Sequence, residues 1–409
     1  MIIHVDCNAF YVSCELSTRP ELYGTPVVVA SSTIGNSGIL LALSKEAKQL
    51  GLKRGDPIFK IRDRLGKNKV HVFPADLKKY RQISRRLMQT VLEQDILQTF
   101  TQYSVDEFFG QMPVENTEEA RYYVKKVKDR IWESVKIPVS CGGSQTYTLA
   151  KTATWYAKHY EGYHGICILQ PEHRETALRG LPVDEVWGIG RAYRKKMHYY
   201  GIETAWDFVQ KKEEFINRQL SAGGIHTWKE LQGIPCIILE NLDRQRSIMQ
   251  TRTFPTMISD EKELQTRISN YVCACAARLR EQHAVCKSIT CFIVTNRHRE
   301  DLEQYGNKAT ENLVTATADP GILIATAFRL LHSIYRPGYQ YKRAGVIVSS
   351  ISSDESVQLD FFEQEDHRKK RRLLQAADAL NNRFGSEKIR LAVQGFGNHA
   401  QFSEDDDGV

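Results

Sequence analysis

Long apolar runs and C-x-x-C cysteine pairs are both missing from this sequence. It has no stretch of about 18 apolar residues, so we expect no transmembrane helix. The chain enters a predicted strand at its first residues, and we therefore expect no signal peptide. Its nine cysteines include no C-x-x-C pair, which favours reduced thiols over a zinc site or a disulfide framework. Together these absences predict a cytoplasmic protein with no membrane partner.

The rest of the composition is typical of an ordinary globular protein. The chain has 409 residues, of which 42% are hydrophobic and 26% are charged. A chain of this length is expected to form two to four domains. The net charge of +7 gives a mild bias towards polyanionic partners, although solubility alone explains it equally well.

Two adjacent carboxylates, Asp106 and Glu107, interrupt a stretch that is otherwise aromatic and β-branched, as in a strand. Neighbouring strand side chains point to opposite faces, so these acids converge only at a turn or bulge. Asp6 ends a similar run at the start of the chain. If the two strands pair, the three acids form a cluster whose oxygen ligands suit Mg²⁺. The alternative interpretation is an ordinary acidic hairpin turn.

Residues 8–15, Asn-Ala-Phe-Tyr-Val-Ser-Cys-Glu, resemble the opening of the Y-family, or translesion, DNA polymerases, in the form of the UmuC-like branch of bacterial DNA polymerase V. Asn8 is a suitable N-cap for the helix that follows. Residues 104–107, Ser-Val-Asp-Glu, resemble that family's second metal motif. The resemblance implies two Mg²⁺ ions, with Mn²⁺ as a substitute. It implies metal ligands at Asp6, Asp106, Glu107 and the Cys7 carbonyl, and nucleotide contacts at Phe10 and at Tyr11, which takes the steric-gate position.

The order strand–helix–hairpin–helix–strand around the acids predicts a ferredoxin-like palm, and residues 247–350 follow a β-α-β-β-α-β pattern. The fold class expected from the resemblance is α+β and multidomain, in the form of a right-hand polymerase. The expected domains are a palm (1–16 and 74–167), fingers (17–73), a helix-hairpin-helix thumb (168–238), a linker (239–246), a little finger (247–351) and a tail (352–409).

Lysines on two predicted helices are candidates for nucleotide binding. The resemblance implies that Lys48 and Lys158 contact the triphosphate. Taken alone, Lys45 and Lys48 would belong to a solvated helix face. Lys151 and Lys158 are seven residues apart and therefore share a helical face. Lys45 stands where many relatives carry an aromatic residue.

Candidate DNA contacts lie further along the chain. Gly188 and Gly190 belong to a predicted helix-hairpin-helix in which backbone N–H groups approach a phosphate, with a structural turn as the alternative. Lys195 follows in a basic run, and Arg252 lies in the predicted little finger.

The tail contains a Gln-Leu-Asp-Phe-Phe segment in a polar, acidic stretch. Exposed Leu and Phe side chains are unfavourable unless a partner buries them. The segment resembles the bacterial sliding-clamp-binding peptide, and a short edge strand is the alternative. Residues 388–393 are predicted to form one more strand. The candidate clamp-binding residues are Gln358, Leu359, Phe361 and Phe362.

The resemblance implies an error-prone, template-directed DNA polymerase that bypasses damaged bases in the SOS response, associated with the nucleoid. Primer-template DNA, deoxynucleotides and the sliding clamp are its expected partners, with a processed UmuD-type dimer and a recombinase filament as activators. No additional acidic segment resembles a proofreading exonuclease. The alternatives are a catalytically weak, clamp-recruited DNA-binding subunit and a nucleotide cyclase built on the same palm.

Overall fold

The computed structural model describes residues 1–33, 38–114, 116–220, 222–239, 246–354, 367–385 and 388–395. These residues form two compact units, one containing the described residues up to 239 and the other those from 246 onwards. In the described ranges, no helix combines the length and the apolar character that crossing a membrane requires.

The first unit mixes strands and helices. Its strands are β1 (Ile2–Cys7), β2 (Val27–Ala30), β3 (Leu40–Leu43), β4 (His71–Pro74), β5 (Thr99–Gln102), β6 (Glu107–Gln111), β7 (Val139–Ser144) and β8 (Ile166–Ile168). Its helices are α1 (Phe10–Leu16), α2 (Lys45–Gln49), α3 (Ile58–Lys67), α4 (Leu77–Leu92), α5 (Thr117–Val135), α6 (Tyr147–His159), α7 (Arg174–Gly180), α8 (Arg191–Tyr199), α9 (Ala205–Val209), α10 (Glu213–Gln219) and α11 (Ala222–Leu231).

A five-stranded sheet of order β5-β6-β1-β7-β8 forms the centre of this unit. Strand β1 lies in the middle of this sheet, and its two faces pack against different helices. Ile3 and Val5 pack into the core formed with α4 and α5, whereas His4 faces α6 through Thr154. The order β1, α4, β5–β6, α5, β7 is the predicted ferredoxin-like arrangement, and that prediction is confirmed.

Helix α6 lies directly against β7 because the strand carries a glycine there. A Cβ atom at Gly142 would collide with the backbone of Thr154 and Ala150. The absence of that side chain lets α6 approach the sheet closely and brings its lysine-bearing face to the end of β1.

A separate three-stranded sheet of order β3-β2-β4 packs with α2 and α3. Strands β2 and β4 are parallel.

Helices α7 to α11 form a small helical group, and its apolar core around Phe208 and Met197 also includes residues of α6. The buried carboxylate of Glu230 ties this group to α6. Its Oε2 accepts hydrogen bonds from the Thr148 backbone N–H and hydroxyl, both at 2.8 Å.

The second unit has the predicted β-α-β-β-α-β order. Its elements are β9 (Ser247–Ile258), α12 (Glu261–Glu281), β10 (Ala284–Thr295), β11 (Gly306–Thr317), α13 (Pro320–Ile334), β12 (Tyr341–Ser353) and α14 (His367–Phe384). Its four strands are all antiparallel, in the order β11-β10-β12-β9. The two helices of the repeat, α12 and α13, pack on this sheet and bury its apolar face.

The strand predicted at 388–393 is wrong. Ala392–Gln394 form a 3₁₀ turn instead. The Gln394 side-chain oxygen accepts a hydrogen bond from the Leu391 backbone N–H at 2.8 Å. This local contact uses a backbone N–H that in a strand would bond to the neighbouring strand.

Candidate active site

The three predicted acids meet where β1 ends and β6 begins. Asp6 and Glu107 are directly paired in the antiparallel register of these strands. The Cys7 backbone N–H donates to the Asp106 carbonyl at 2.9 Å, so Asp106 lies beside the same strand end. The strand pairing expected from the sequence is therefore present.

Ser104 builds the turn that presents Asp106 beside Glu107. Its hydroxyl oxygen accepts from the backbone N–H groups of Asp106 and Glu107 at 3.2 and 3.1 Å. The same hydroxyl donates to Asp106 Oδ1 at 2.5 Å. This turn, rather than a continuous strand, allows consecutive acids to share one edge of the sheet.

Two groups hold the Glu107 carboxylate. His4 Nε2 lies 3.1 Å from Oε2, and Lys151 Nζ also lies 3.1 Å from Oε2. Burial alone raises the pKa of Glu107, but these two partners outweigh it and hold the pKa at about 2. Burial lowers the pKa of His4, so a neutral imidazole donating its Nε2 proton to Glu107 fits this contact. Glu107 is therefore ionised at neutral pH.

Lys151 occupies a cage of three aromatic rings. Its Nζ lies 4.6 Å from the ring centre of Tyr103, 5.1 Å from Trp187 and 5.8 Å from Phe109. Ring faces attract an ammonium group, so the cage fixes the cation that pairs with Glu107. Sequence reasoning assigned no role to this lysine, although its seven-residue spacing from Lys158 placed both on one face of α6.

Lys158, the second lysine on that face, pairs with Asp6. Its Nζ lies 2.6 Å from Asp6 Oδ1. Burial raises the pKa of Asp6, and the neighbouring Asp106 charge adds to that rise, while Lys158 opposes it. The structure thus places the predicted triphosphate lysine on a predicted metal ligand.

The two aromatic residues after Asp6 have different surroundings. Phe10 is buried in the core at 4% exposure, whereas Tyr11 is partly exposed. Burial raises the pKa of Tyr11, with a further contribution from the Asp106 charge, which puts its hydroxyl within electrostatic range of the acids. The Asn8 cap prediction is wrong: the N-cap of α1 is Ala9, at φ 46°, because the Asn8 side chain accepts from the Ser140 hydroxyl.

The remaining predicted residues lie elsewhere. Lys48 is exposed on α2, and Lys195 is exposed on α8. Gly188 has a φ of +89°, whereas Gly190 caps α8 at φ −77°. Arg252, in the second unit, is half-buried on β9 and donates to the Thr251 carbonyl at 3.0 Å. The predicted clamp-binding residues Gln358, Leu359, Phe361 and Phe362 lie outside the described residues.

The acids fit a hard cation by their chemistry. All of the donor atoms are oxygens, and the side chains of Asp6 and Glu107 remain 22% and 16% exposed. In the part of the chain that the structure describes, no group of three or more His, Cys, Asp or Glu residues is gathered as a metal site. Two of the acids pair instead with the α6 lysines, Asp6 with Lys158 and Glu107 with Lys151.

The fold and the sequence are both similar to those of known proteins. A chimaera of the Y-family DNA polymerases Dbh and Dpo4 superimposes with a TM-score of 0.69 at 23% identity, over 86% of this chain and 99% of that chain. The fold is therefore that of a Y-family DNA polymerase. Residues 5–155 match the impB/mucB/samB family, and residues 245–361 match the family's C-terminal domain.

Relatives in sequence extend over nearly the whole chain. Protein UmuC of Salmonella typhimurium is 33% identical over 395 residues, which is 95% of this chain and 92% of UmuC. Protein ImpB of Salmonella typhimurium is 32% identical over 401 residues, 97% of this chain and 93% of ImpB. The chain belongs to the impB/mucB/samB family and is a Y-family DNA polymerase. The predicted family and enzyme class are thus confirmed, and metal dependence is general among these polymerases.

Proposed function

We propose that this chain extends primer 3′ ends with template-directed deoxynucleotides, with low fidelity and past damaged template bases. The observation that carries the proposal is the paired register of Asp6 and Glu107, with Asp106 on the adjoining turn. Phosphoryl transfer needs such oxygen ligands beside cationic side chains that neutralise phosphate charge.

Asp6, Asp106, Glu107 and the Cys7 carbonyl would hold two Mg²⁺ ions, or Mn²⁺ in their place. When bound, the metal pair would lower the pKa of the primer 3′-hydroxyl and neutralise charge on the phosphates. Glu107 is ready for this role because His4 and Lys151 keep it ionised.

The two α6 lysines would have different electrostatic roles. Lys151 stays in its aromatic cage and orients Glu107. Lys158 is 30% exposed and would exchange Asp6 for the triphosphate of the incoming nucleotide. Lys48 would approach the same phosphates from α2.

The aromatic residues of α1 would select the sugar. Tyr11 is the exposed member of the pair and would lie against the deoxyribose, where a 2′-hydroxyl has no room. Phe10 is buried and would support the helix beneath the nucleotide.

The domain boundaries carry over as a proposal. Residues 1–16 and 74–167 would form the palm, 17–73 the fingers, 168–238 the thumb and 247–351 the little finger, with 239–246 as the linker and 352–409 as the tail. Gly188, Gly190 and Lys195 would contact the DNA backbone from the thumb, and Arg252 from the little finger.

The cellular role rests on the resemblance alone. We place the enzyme in the SOS response, in the cytoplasm at the bacterial nucleoid. It would be recruited by the sliding clamp through residues 358–362 and activated by a processed UmuD-type dimer and a recombinase filament.

Primer extension by the purified chain tests the proposal, with Mg²⁺ and undamaged or abasic templates compared. Extension past the abasic site supports a lesion-bypassing polymerase. If extension appears only after a UmuD-type dimer and activated recombinase are added, the chain needs those partners. No extension under either condition would contradict the proposal.

A further inference from the structure

A buried tyrosine lies behind the residue proposed to contact the sugar. The rings of Tyr80, on α4, and Tyr11, on α1, are stacked, with centroids 4.6 Å apart and planes inclined by 19°. Tyr80 is only 1% exposed, whereas Tyr11 is partly exposed. Tyr80 therefore packs against the buried side of the Tyr11 ring and is not accessible to a nucleotide.

The carboxylate of Glu15 holds the Tyr80 ring in position. The Tyr80 hydroxyl donates to Glu15 Oε1 at 2.8 Å, and Glu15 is only 4% exposed. Glu15 lies one helical turn after Tyr11 on α1, so the same helix carries the tether and the ring that Tyr80 supports. The bond is charge-assisted, which makes it shorter and stronger than a neutral one.

The second carboxylate oxygen of Glu15 is also occupied. Arg19 Nη1 lies 2.6 Å from Oε2, and Lys79 Nζ lies 2.8 Å from the same atom. Lys79 precedes Tyr80 on α4, so two consecutive α4 residues bond Glu15 and join α4 to α1. With both oxygens bonded, Glu15 has little freedom to turn and release Tyr80.

We propose that Tyr80, tethered by Glu15, is a positioning residue for sugar selection and acts by holding the Tyr11 ring against the space for the nucleotide's 2′ substituent. The inference rests on the proposed gate role of Tyr11. A 2′-hydroxyl adds a single oxygen atom, so a small retreat or tilt of the Tyr11 ring is enough to admit it. The stacked Tyr80 ring blocks the retreat, and the Glu15 hydrogen bond keeps Tyr80 from moving with it.

The test compares kcat/KM for a deoxynucleotide and the matching ribonucleotide in wild type, Tyr80→Leu and Tyr80→Phe. A stacked aromatic pair contributes a factor of about 2 to 10 in an equilibrium, so Tyr80→Leu should lower the ratio of the two constants about 2- to 10-fold. Tyr80→Phe keeps the ring and loses the tether, so its ratio should lie between those of wild type and Tyr80→Leu. Equilibrium binding of both nucleotides to a complex with a 3′-dideoxy primer measures the same ratio without turnover.

Leu87→Ala is the matched control. Leu87 is also 1% exposed and lies seven residues further along α4, on the same helical face. Its truncation disturbs packing and lowers rates for both sugars together, leaving the ratio unchanged. If Tyr80→Leu changes the ratio no more than Leu87→Ala does, the inference is overturned.

Tyr11→Ala separates this inference from the function on which it rests. If Tyr11→Ala removes sugar discrimination and Tyr80→Leu does not weaken it, the gate role stands and the Tyr80 inference fails. If Tyr11→Ala leaves the ratio unchanged, both fail. The double variant should match Tyr11→Ala alone, because the two residues act through one ring. Should Tyr80→Leu not fold, Tyr80→Phe decides, and an unchanged ratio overturns the inference.

Discussion

The ammonium of Lys158 lies 2.6 Å from Asp6 Oδ1, so a lysine proposed to bind nucleotide neutralises an acid proposed to bind metal. Lys158 lowers the pKa of Asp6 against the rise that burial causes. The two roles are compatible if Lys158 leaves Asp6 when the nucleotide arrives.

Lys158→Met should therefore have two effects. Without the lysine, the pKa of Asp6 rises further, so the acid limb of the rate–pH profile should move to higher pH. Loss of a charge-assisted contact to phosphate should also lower kcat/KM by about 10- to 100-fold. Lys125→Met, at an exposed pair with Asp129, is the control, and an identical profile for both variants would contradict the assignment.

Lys151→Met tests the caged cation. The pKa of Glu107, about 2 in the intact site, should rise, because the charge of Lys151 helps to lower it. Glu107 would then stay protonated to a higher pH, and activity at low pH should fall more than activity at neutral pH. The pH dependence of Mn²⁺ binding provides a readout that needs no turnover, and an unshifted profile would remove Lys151 from the positioning role.

Gly188 and Gly190 form a matched pair in the proposed thumb. Gly188→Ala forces a Cβ into φ +89°, 2.9 Å from Thr227 Oγ1, and should lower the free energy of unfolding by about 1–3 kcal/mol. Gly190→Ala meets nothing within 4 Å and should leave thermal stability unchanged. If Gly190 also contacts DNA through its backbone, Gly190→Ala should weaken duplex binding without destabilising the protein. Equal DNA affinity in Gly190→Ala and wild type would exclude that contact.

Glu230→Ala should destabilise the first unit strongly. The carboxylate is fully buried and accepts from Thr148, and its Oε1 also accepts from the Ile237 N–H at 3.0 Å. Removing it leaves several buried donors unpaired, each worth about 1–3 kcal/mol, so thermal unfolding should shift by many degrees. Glu213→Ala, at a half-exposed pair with Lys229, should change the free energy of unfolding by about 1 kcal/mol at most.

The sequence best predicts features that depend on residues close together in the chain. Alternating apolar runs and a turn are enough to bring Asp6 beside Glu107, and the second unit follows its β-α-β-β-α-β pattern closely. The wrong cap at Asn8 shows the limit of such rules, because a long-range contact with Ser140 takes the capping group.

The groups that tune the site come from distant parts of the chain. Tyr103, Phe109 and Trp187 converge on Lys151 only after the sheet, α6 and the helical group have packed together. Likewise, no local pattern marks Tyr80 as the partner of Tyr11. Such contacts depend on which helix faces which strand, and helical or strand periodicity in the sequence does not specify that pairing.

Asp106→Ala tests the central claim most directly, with primer extension and duplex DNA binding measured on one preparation. The account predicts that extension is abolished while DNA affinity stays within about twofold, since a single carboxylate contributes little to binding a polyanion. Asp129→Ala, at an exposed acid, should retain both properties. Residual extension by Asp106→Ala would contradict the assignment of Asp6, Asp106 and Glu107 as the catalytic acids.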